Sequence, residues 1–308
     1  MSTQSSTVIN LGTAPQQPVR SKSLWEKALY RIRQDRLTMI ALTILVVLTL
    51  LAIFAPTISS GIFGVNHYTV NARNTYQPIG TPGHVLGTDE LGRDHMARLL
   101  YAGRVSLGIG FSAAVLSLAI GIILGMLTGY FGGWFDDFMI WFITTLNSIP
   151  GIPLLLIINA LLSPSPVTLV FVLAILGWTG TMRLVRGETF ALREREFVVA
   201  ARALGASSLR IMFIHILPNI ISLVIITLAI SIGALILTES ALSYLGFGIS
   251  TSEAPSWGNM LSGGLELVRS TSSRHLVIFP GMMIATTVLC LYIIGDGLRD
   301  AFDPKLSD

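Results

Sequence analysis

Residues 195–219 read REFVVAARALGASSLRIMFIHILPN, a polar, arginine-bearing segment set between two long apolar runs. Phe197, Ala200, Ala201 and Leu204 recur at helical spacing and form one narrow apolar stripe, whose small central residues permit close approach of another surface. Gly205 stands where a helix C-terminus takes a left-handed residue, followed by Ala206. Ser207 or Ser208 can cap a second short helix, and Leu217 and Pro218 open the next apolar run. The local prediction is helix, sharp turn, helix and then membrane, shaped to touch a soluble partner.

Outward from this segment the chain is apolar: 52% of its 308 residues are hydrophobic, 12% are charged, and the mean hydropathy is +0.71. Soluble domains carry about 25% charge. Apolar runs fall at 39–58, 105–130, 138–162, 167–182, 220–238 and 276–295. Most reach the ~20 residues that cross a bilayer. The run at 167–182 is short and is counted as spanning because the charge balance requires it. The fold class predicted is an all-α membrane protein of six transmembrane helices. It divides into a tail with a basic juxtamembrane segment (1–36), a first span (37–58), an external loop (59–103), a five-span core (104–298) containing the polar segment (183–217), and a short tail (299–308).

With six spans both termini share a side. Fourteen Lys and Arg fall on that side, in the N-terminal tail, in 183–210 and at the C-terminus, against six on the other: Arg73, Arg93, Arg98, Arg104, Arg269 and Arg274. Cationic loops stay cytoplasmic, so both termini and the polar segment are expected in the cytosol. Residues 1–18 are polar and expected to be disordered, with no secretory cleavage site. Residues 25–36 read as a topogenic basic flank or as an amphipathic helix on the inner leaflet. Cys290 is the only cysteine, which excludes an internal disulfide and a thiolate metal cluster.

Ala200, Ala201, Gly205, Leu217 and Pro218 stand at the spacing of the EAA motif, and the segment resembles that of permease subunits from bacterial binding-protein-dependent ABC importers. Val199 replaces the usual glutamate and His215 the usual isoleucine. The runs LGTDELGRD and LLYAGRVSLGIG, then ESALSYLGFGIS, APSWGNML and GDGLRDAFDPKL, are similar to the dipeptide, oligopeptide and nickel branch of that family. The resemblance covers nearly everything from residue 37 onward. It implies the type I ABC importer permease fold and a bacterial inner-membrane location. It also implies a coupling role for Phe197, Ala200, Ala201, Leu204, Gly205, Ala206, Leu217 and Pro218. The implied partners are a homologous sister permease, two cytosolic ATP-binding subunits that use ATP and Mg, an external binding protein and membrane lipid, with no nucleic acid and no cofactor on this chain. One departure lies in the third span: relatives often carry Arg and Asp before the proline turn, whereas FMIWFITTLNSIPGIP, residues 138–153, has neither.

Within the external loop, glycines 87 and 92 with Thr88, Asp89 and Glu90 predict a turn and a capped helix start, with Arg93 and Asp94 placed to pair. Gly121, Gly125 and Gly129 form a doubled small-xxx-small ridge, a surface for static helix packing or for a sliding contact. Asn147 and Ser148 precede Pro150 and Pro153, a polar, proline-broken stretch suited to a protein-facing or wet surface. They are candidates for the path, with Ser231 and Glu239. Glu239 follows an uncharged run and is expected at the outer mouth of the path, against a partner, or simply at the interface where the span ends. Asp296 has Arg299 within pairing reach.

The three lysines, Lys22, Lys27 and Lys305, follow no phosphate-cradling glycine loop, and the five histidines form no HExxH pattern. A membrane enzyme is therefore disfavoured. An ion-gradient-driven secondary transporter would need paired intramembrane charges or inverted repeats. Within the family, nickel or glutathione uptake competes with di- and oligopeptide uptake.

Overall fold

The computed structural model describes residues 24–163, 165–262 and 273–303. The expectations for residues 1–18, and the positions of Arg20, Lys22, Arg269 and Lys305, lie outside them. The described chain is helical: α1 (Leu24–Gln34), α2 (Arg36–Ile53), α3 (His95–Phe131), α4 (Gly133–Asn147), α5 (Gly151–Leu161), α6 (Pro166–Leu192), α7 (Glu196–Ala203), α8 (Ser208–Arg210), α9 (Leu217–Tyr244) and α10 (His275–Phe302). Five helical stretches are long and apolar enough to cross a membrane, and α4 with α5 makes a sixth if the bent pair is one span.

Side-chain caps start α2, α3 and α6. The Asp35 carboxylate accepts from the amides of Leu37 (3.0 Å) and Thr38 (3.3 Å) before α2. Hydrogen bonds, the Thr38 hydroxyl's first, hold the Asp35 carboxyl below the usual range. Asp94 caps α3 through the Ala97 amide at 2.7 Å, and Ser165 caps α6 through Thr168 at 3.1 Å, with Pro166 in the first turn.

Three spans differ from their predicted extents. The first is interrupted at Phe54, just before Pro56, and goes on as a π-helical turn, Thr57–Ile62. The fourth is not short: α6 continues ten residues beyond 182, carrying Arg183 and Arg186. The third, expected as one span with a proline-broken stretch, is two helices bent by 81°. Pro150 stands extended (ψ 123°) and, like Pro153, offers no amide, while the Ser148 amide turns back to Thr144 and Thr145 to close α4.

The glycine ridge decides the core. A Cβ on Gly121 would lie 2.6 Å from the Thr181 Cβ, one on Gly125 2.7 Å from the Met182 carbonyl oxygen, and one on Gly129 2.6 Å from that of Arg186. Contacts advance in the same direction along both helices, so α3 and α6 run parallel in backbone-to-backbone contact. Two apolar clusters flank this seam, one around Met126, Val185, Met212 and Ile220, the other around Met139, Ile143, Trp178 and Met182. α9 and α10 pack together, with α2 against α10 and α3. α1 does not lie free: Trp25 sets its ring edge-on to Phe302 (5.2 Å) and Arg31 donates to the carbonyls of Ala301 and Asp303.

The stretch 59–94 is a folded cap. Asp89, Arg93 and Arg98 are all buried, and the Asp89 carboxylate takes Arg93 Nε at 2.7 Å and Arg98 Nε at 3.2 Å. Arg93 therefore pairs with Asp89 and Glu90, not with Asp94, which caps α3 and meets His84 at 2.9 Å. Gly92 (φ +69°) is required there, since a Cβ would fall 1.9 Å from the Asn71 carbonyl oxygen. Burial, and then the Arg98 charge, hold His67 below the ordinary histidine range, leaving a neutral ring stacked on Tyr101 at 3.7 Å. Trp257 fastens residues 245–262 beneath this cap, its indole N–H donating to the Leu99 carbonyl at 3.1 Å.

Candidate coupling surface and transport path

Between α6 and α9 the chain leaves the bundle as α7, turns, and returns through α8 and a π-helical turn, Ile211–Ile216. The turn is a Schellman motif: the Ala206 amide bonds the Ala201 carbonyl and the Gly205 amide that of Arg202, both at 3.0 Å, with Gly205 at φ +82°. Ser207 caps α8 through the Arg210 amide. Val198, Ile211 and Ile216 are fully buried together, with Ala201, Ala206, Leu192 and Tyr130 packed on them. The stripe predicted as one contact surface is therefore divided. Phe197, Ala200 and Leu204 face out, Leu204 at 89% exposure, while Ala201 and Ala206 anchor the segment from inside. Val198, one residue from Phe197, is the anchor that the stripe did not include.

The segment is tied to the bundle through the ends of α3 and α6. Arg193 donates to the Gly129 and Tyr130 carbonyls at 3.1 and 3.4 Å, and Arg202 stacks over the Tyr130 ring at 5.5 Å. Leu217 is half-buried against Met212 and Ile220, and Pro218 is exposed in the first turn of α9. The Asn219 side chain donates to the His215 carbonyl at 2.6 Å, satisfying an acceptor where helix type and proline change the ladder.

An ion pair absent from residues 138–153 is present two residues upstream: Asp136 of α4 binds Arg186 of α6 through both oxygens, Nη2 to Oδ2 at 2.6 Å. The fork geometry is one that lysine cannot reproduce. In a double-mutant cycle of Asp136→Ala with Arg186→Gln, each single change should cost about 1.5–3 kcal/mol. Thermal unfolding in detergent reads the cycle, and a coupling energy near zero would remove the pair from the account of α4–α6 packing. Asp296 and Arg299, by contrast, make no ion pair among the described residues, and both are exposed.

Of the path candidates, Asn147 and Ser148 stand exposed at the α4–α5 bend. Asn147 Oδ1 accepts from Thr179 at 3.2 Å, and the Ser148 hydroxyl donates to the Thr145 carbonyl at 2.7 Å. Asn147 lines a cavity of about 210 Å³ with Ile149, Gly177, Leu235 and Thr238. Thr227, Ser231 and Thr238 lie at helical spacing on one face of α9, all partly exposed. Thr227, Thr179 and Thr238 join the candidates; the hydroxyl stripe of Thr227, Ser231 and Thr238, at i, i+4 and i+11, was readable in the sequence. Glu239 does not line this cavity. It is fully buried, accepting from the hydroxyls of Ser243 (2.7 Å), Ser106 (3.2 Å) and Ser240 (3.5 Å), and Ser106 in turn accepts from the Trp257 amide. The carboxylate expected at a mouth or at the end of a span is enclosed within the chain, because three serines and the 245–262 segment cover it.

These features define a multi-pass helical membrane protein that presents one short helix outside its bundle. The chain belongs to the family described as the binding-protein-dependent transport system inner membrane component, whose model matches residues 121–308. Residues 23–78 match the N-terminal TM domain of oligopeptide transport permease C. The chain is 37% identical over 297 residues to the oligopeptide transport system permease protein OppC of Bacillus subtilis, covering 96% of this chain and 95% of that one. To the dipeptide transport system permease protein DppC of Alkalihalophilus pseudofirmus it is 36% identical, covering 95% and 93%. To OppC of Mycobacterium tuberculosis it is 40% identical over 230 residues, covering 74% and 78%. The expected all-α permease fold and the family resemblance both hold.

Proposed function

We propose that this chain forms half of the translocation path of an ATP-driven importer of di- or oligopeptides, paired with a sister permease and fed by an external binding protein. Two cytosolic ATPases dock beneath the pair, each in contact with one short helix, and supply ATP and Mg chemistry that this chain does not perform. Both termini and α7 face the bacterial cytosol. The observation that supports the reading most is α7: its outward face, Phe197, Ala200 and Leu204, is apolar and uncovered, while Val198 and Ala201 fix it to the bundle. Exposed apolar side chains held rigidly are what a groove in a partner requires. ATP binding draws the ATPases together, α7 follows, and the contact of Arg193 and Arg202 with the end of α3 carries the displacement into the spans. The polar stripe of Thr227, Ser231 and Thr238, with Asn147 opposite, lines the route. The peptide class follows from the names of the relatives.

The test is co-purification of the chain with ATPases encoded beside its gene, together with uptake of labelled peptide by cells carrying wild type or Leu204→Asp. Leu204 is 89% exposed, so the variant should fold; ATPase recovery and uptake should fall about tenfold, the loss of one apolar anchor of the docked complex. Unchanged recovery and uptake in Leu204→Asp would sink the coupling assignment. Uptake of nickel or glutathione in place of peptide would redirect the substrate, and uptake driven by an ion gradient without the ATPases would replace the mechanism.

A further inference from the structure

The geometry points to a binding site for one diacyl phospholipid at Arg104, on the part of α3 remote from α7. Arg104 is exposed and makes no hydrogen bond or ion pair with any described residue. Its depth is fixed by its neighbours. α2 gives way after Ile53 to a π-helical turn, Thr57–Ile62, and α6 begins at Pro166; Ile53 and Pro166 line the hollows that Arg104 enters. A Cβ on Gly103 would stand 3.4 Å from that of Ala52. From Arg104 to Gly125, which is level with Met182 and Val185, the helix rises about 32 Å, the thickness of a hydrocarbon core. Arg183 and Arg186 mark the far interface. Arg104 thus stands at the near one, where lipid phosphates lie.

Two apolar hollows descend from it. One, of about 290 Å³, lies among α2, α3, α9 and α10 and runs from Ile53 to Leu45, a depth of about 12 Å. The other, of about 450 Å³, lies between α3 and α6, beside Val105, Pro166 and Val170. Arg104 and Gly108 line both. A Cβ on Gly108 would meet nothing within 4 Å, so no side chain divides them. One cation over two apolar furrows that meet at a glycine matches one phosphodiester over two acyl chains. A guanidinium binds a phosphodiester in a two-point fork, and an arginine facing lipid without a counter-anion is costly.

The experiment is native mass spectrometry of the full-length chain, extracted in mild detergent with the subunits that accompany it, and washed with detergent. Wild type should retain one phospholipid per copy. Occupancy should fall about tenfold in Arg104→Gln, the size of one lost charged hydrogen-bond pair, and comparably in Gly108→Leu, which fills the junction. Should Gly108→Leu not fold, Arg104→Gln decides alone, since its side chain supports no described contact. A wild type without lipid, equal retention in the variants, or a disulfide from Arg104→Cys to a neighbouring subunit would each overturn the site, the last by showing protein where lipid is placed.

Discussion

Gly125→Leu should abolish the folded permease. A Cβ at position 125 meets the Met182 carbonyl oxygen at 2.7 Å and the Val185 Cβ at 2.8 Å, and neither can swing aside, because one is backbone and the other is fixed to it. Leucine adds three more carbons. The only relief is to separate α3 from α6, which also opens the contacts at Gly121 and Gly129 and the clusters on both sides of the seam. In lipid, helices gain little from leaving one apolar medium for another, so close packing carries the association. The cost is about 3 kcal/mol or more, the upper range for an overpacked core. Size-exclusion of detergent-extracted protein should show aggregate in place of a monodisperse peak. Gly125→Ala should be intermediate, and Gly180→Ala, whose Cβ meets only open space, should match wild type. A monodisperse Gly125→Leu with the wild-type melting temperature would mean that the seam is not what holds the bundle.

Asp89→Ala should collapse the cap formed by 59–94. Asp89 is 5% exposed; its carboxylate accepts from the amides of Leu91 and Arg93 at 3.0 and 2.9 Å and from the Arg93 guanidinium, and it pairs with Arg98 at 3.2 Å. Both arginines are 4% exposed, so removing the carboxylate leaves two buried cations, of which Arg93 keeps Glu90 at the rim and the Thr251 carbonyl. Breaking a buried pair costs about 3–5 kcal/mol, mostly the penalty for the stranded charge. Asp89→Asn keeps the shape and loses the charge, and should recover little. Glu90→Ala removes an exposed partner of the same arginine and should cost under about 1 kcal/mol. Limited proteolysis within 59–94, with thermal unfolding, distinguishes the three. Equal protection of Asp89→Ala and Glu90→Ala would show the cap to be held by its turns and not by its ions.

The glycine ridge was legible as a packing surface because its period is local, but its partner was not. Nothing in 121–129 names α6, and the parallel pairing follows from the connection through α4 and α5. The α7 turn was legible to the residue at Gly205, because a Schellman motif is satisfied by atoms within six residues. Which face of α7 meets the bundle was not legible. Phe197, Ala201 and Leu204 are all apolar, and only Ile211 and Ile216, brought back by the chain reversal, select Val198 and Ala201 as the inner side.

Sequence alone determined the membrane class, the approximate spans, the break at Pro150 and the protruding helix, since each rests on composition or on hydrogen bonds made within a few residues. Tertiary structure alone decided that Glu239 is enclosed by Ser106, that Asp136 meets Arg186, that Asp89 holds two arginines, and that Arg104 meets no carboxylate among the described residues. Apolar periodicity cannot distinguish a neighbouring helix from lipid, because both are equally dry. The charged groups are sorted only when packing brings together residues as far apart as 106 and 239, and fixes which carboxylates and hydroxyls lie within reach.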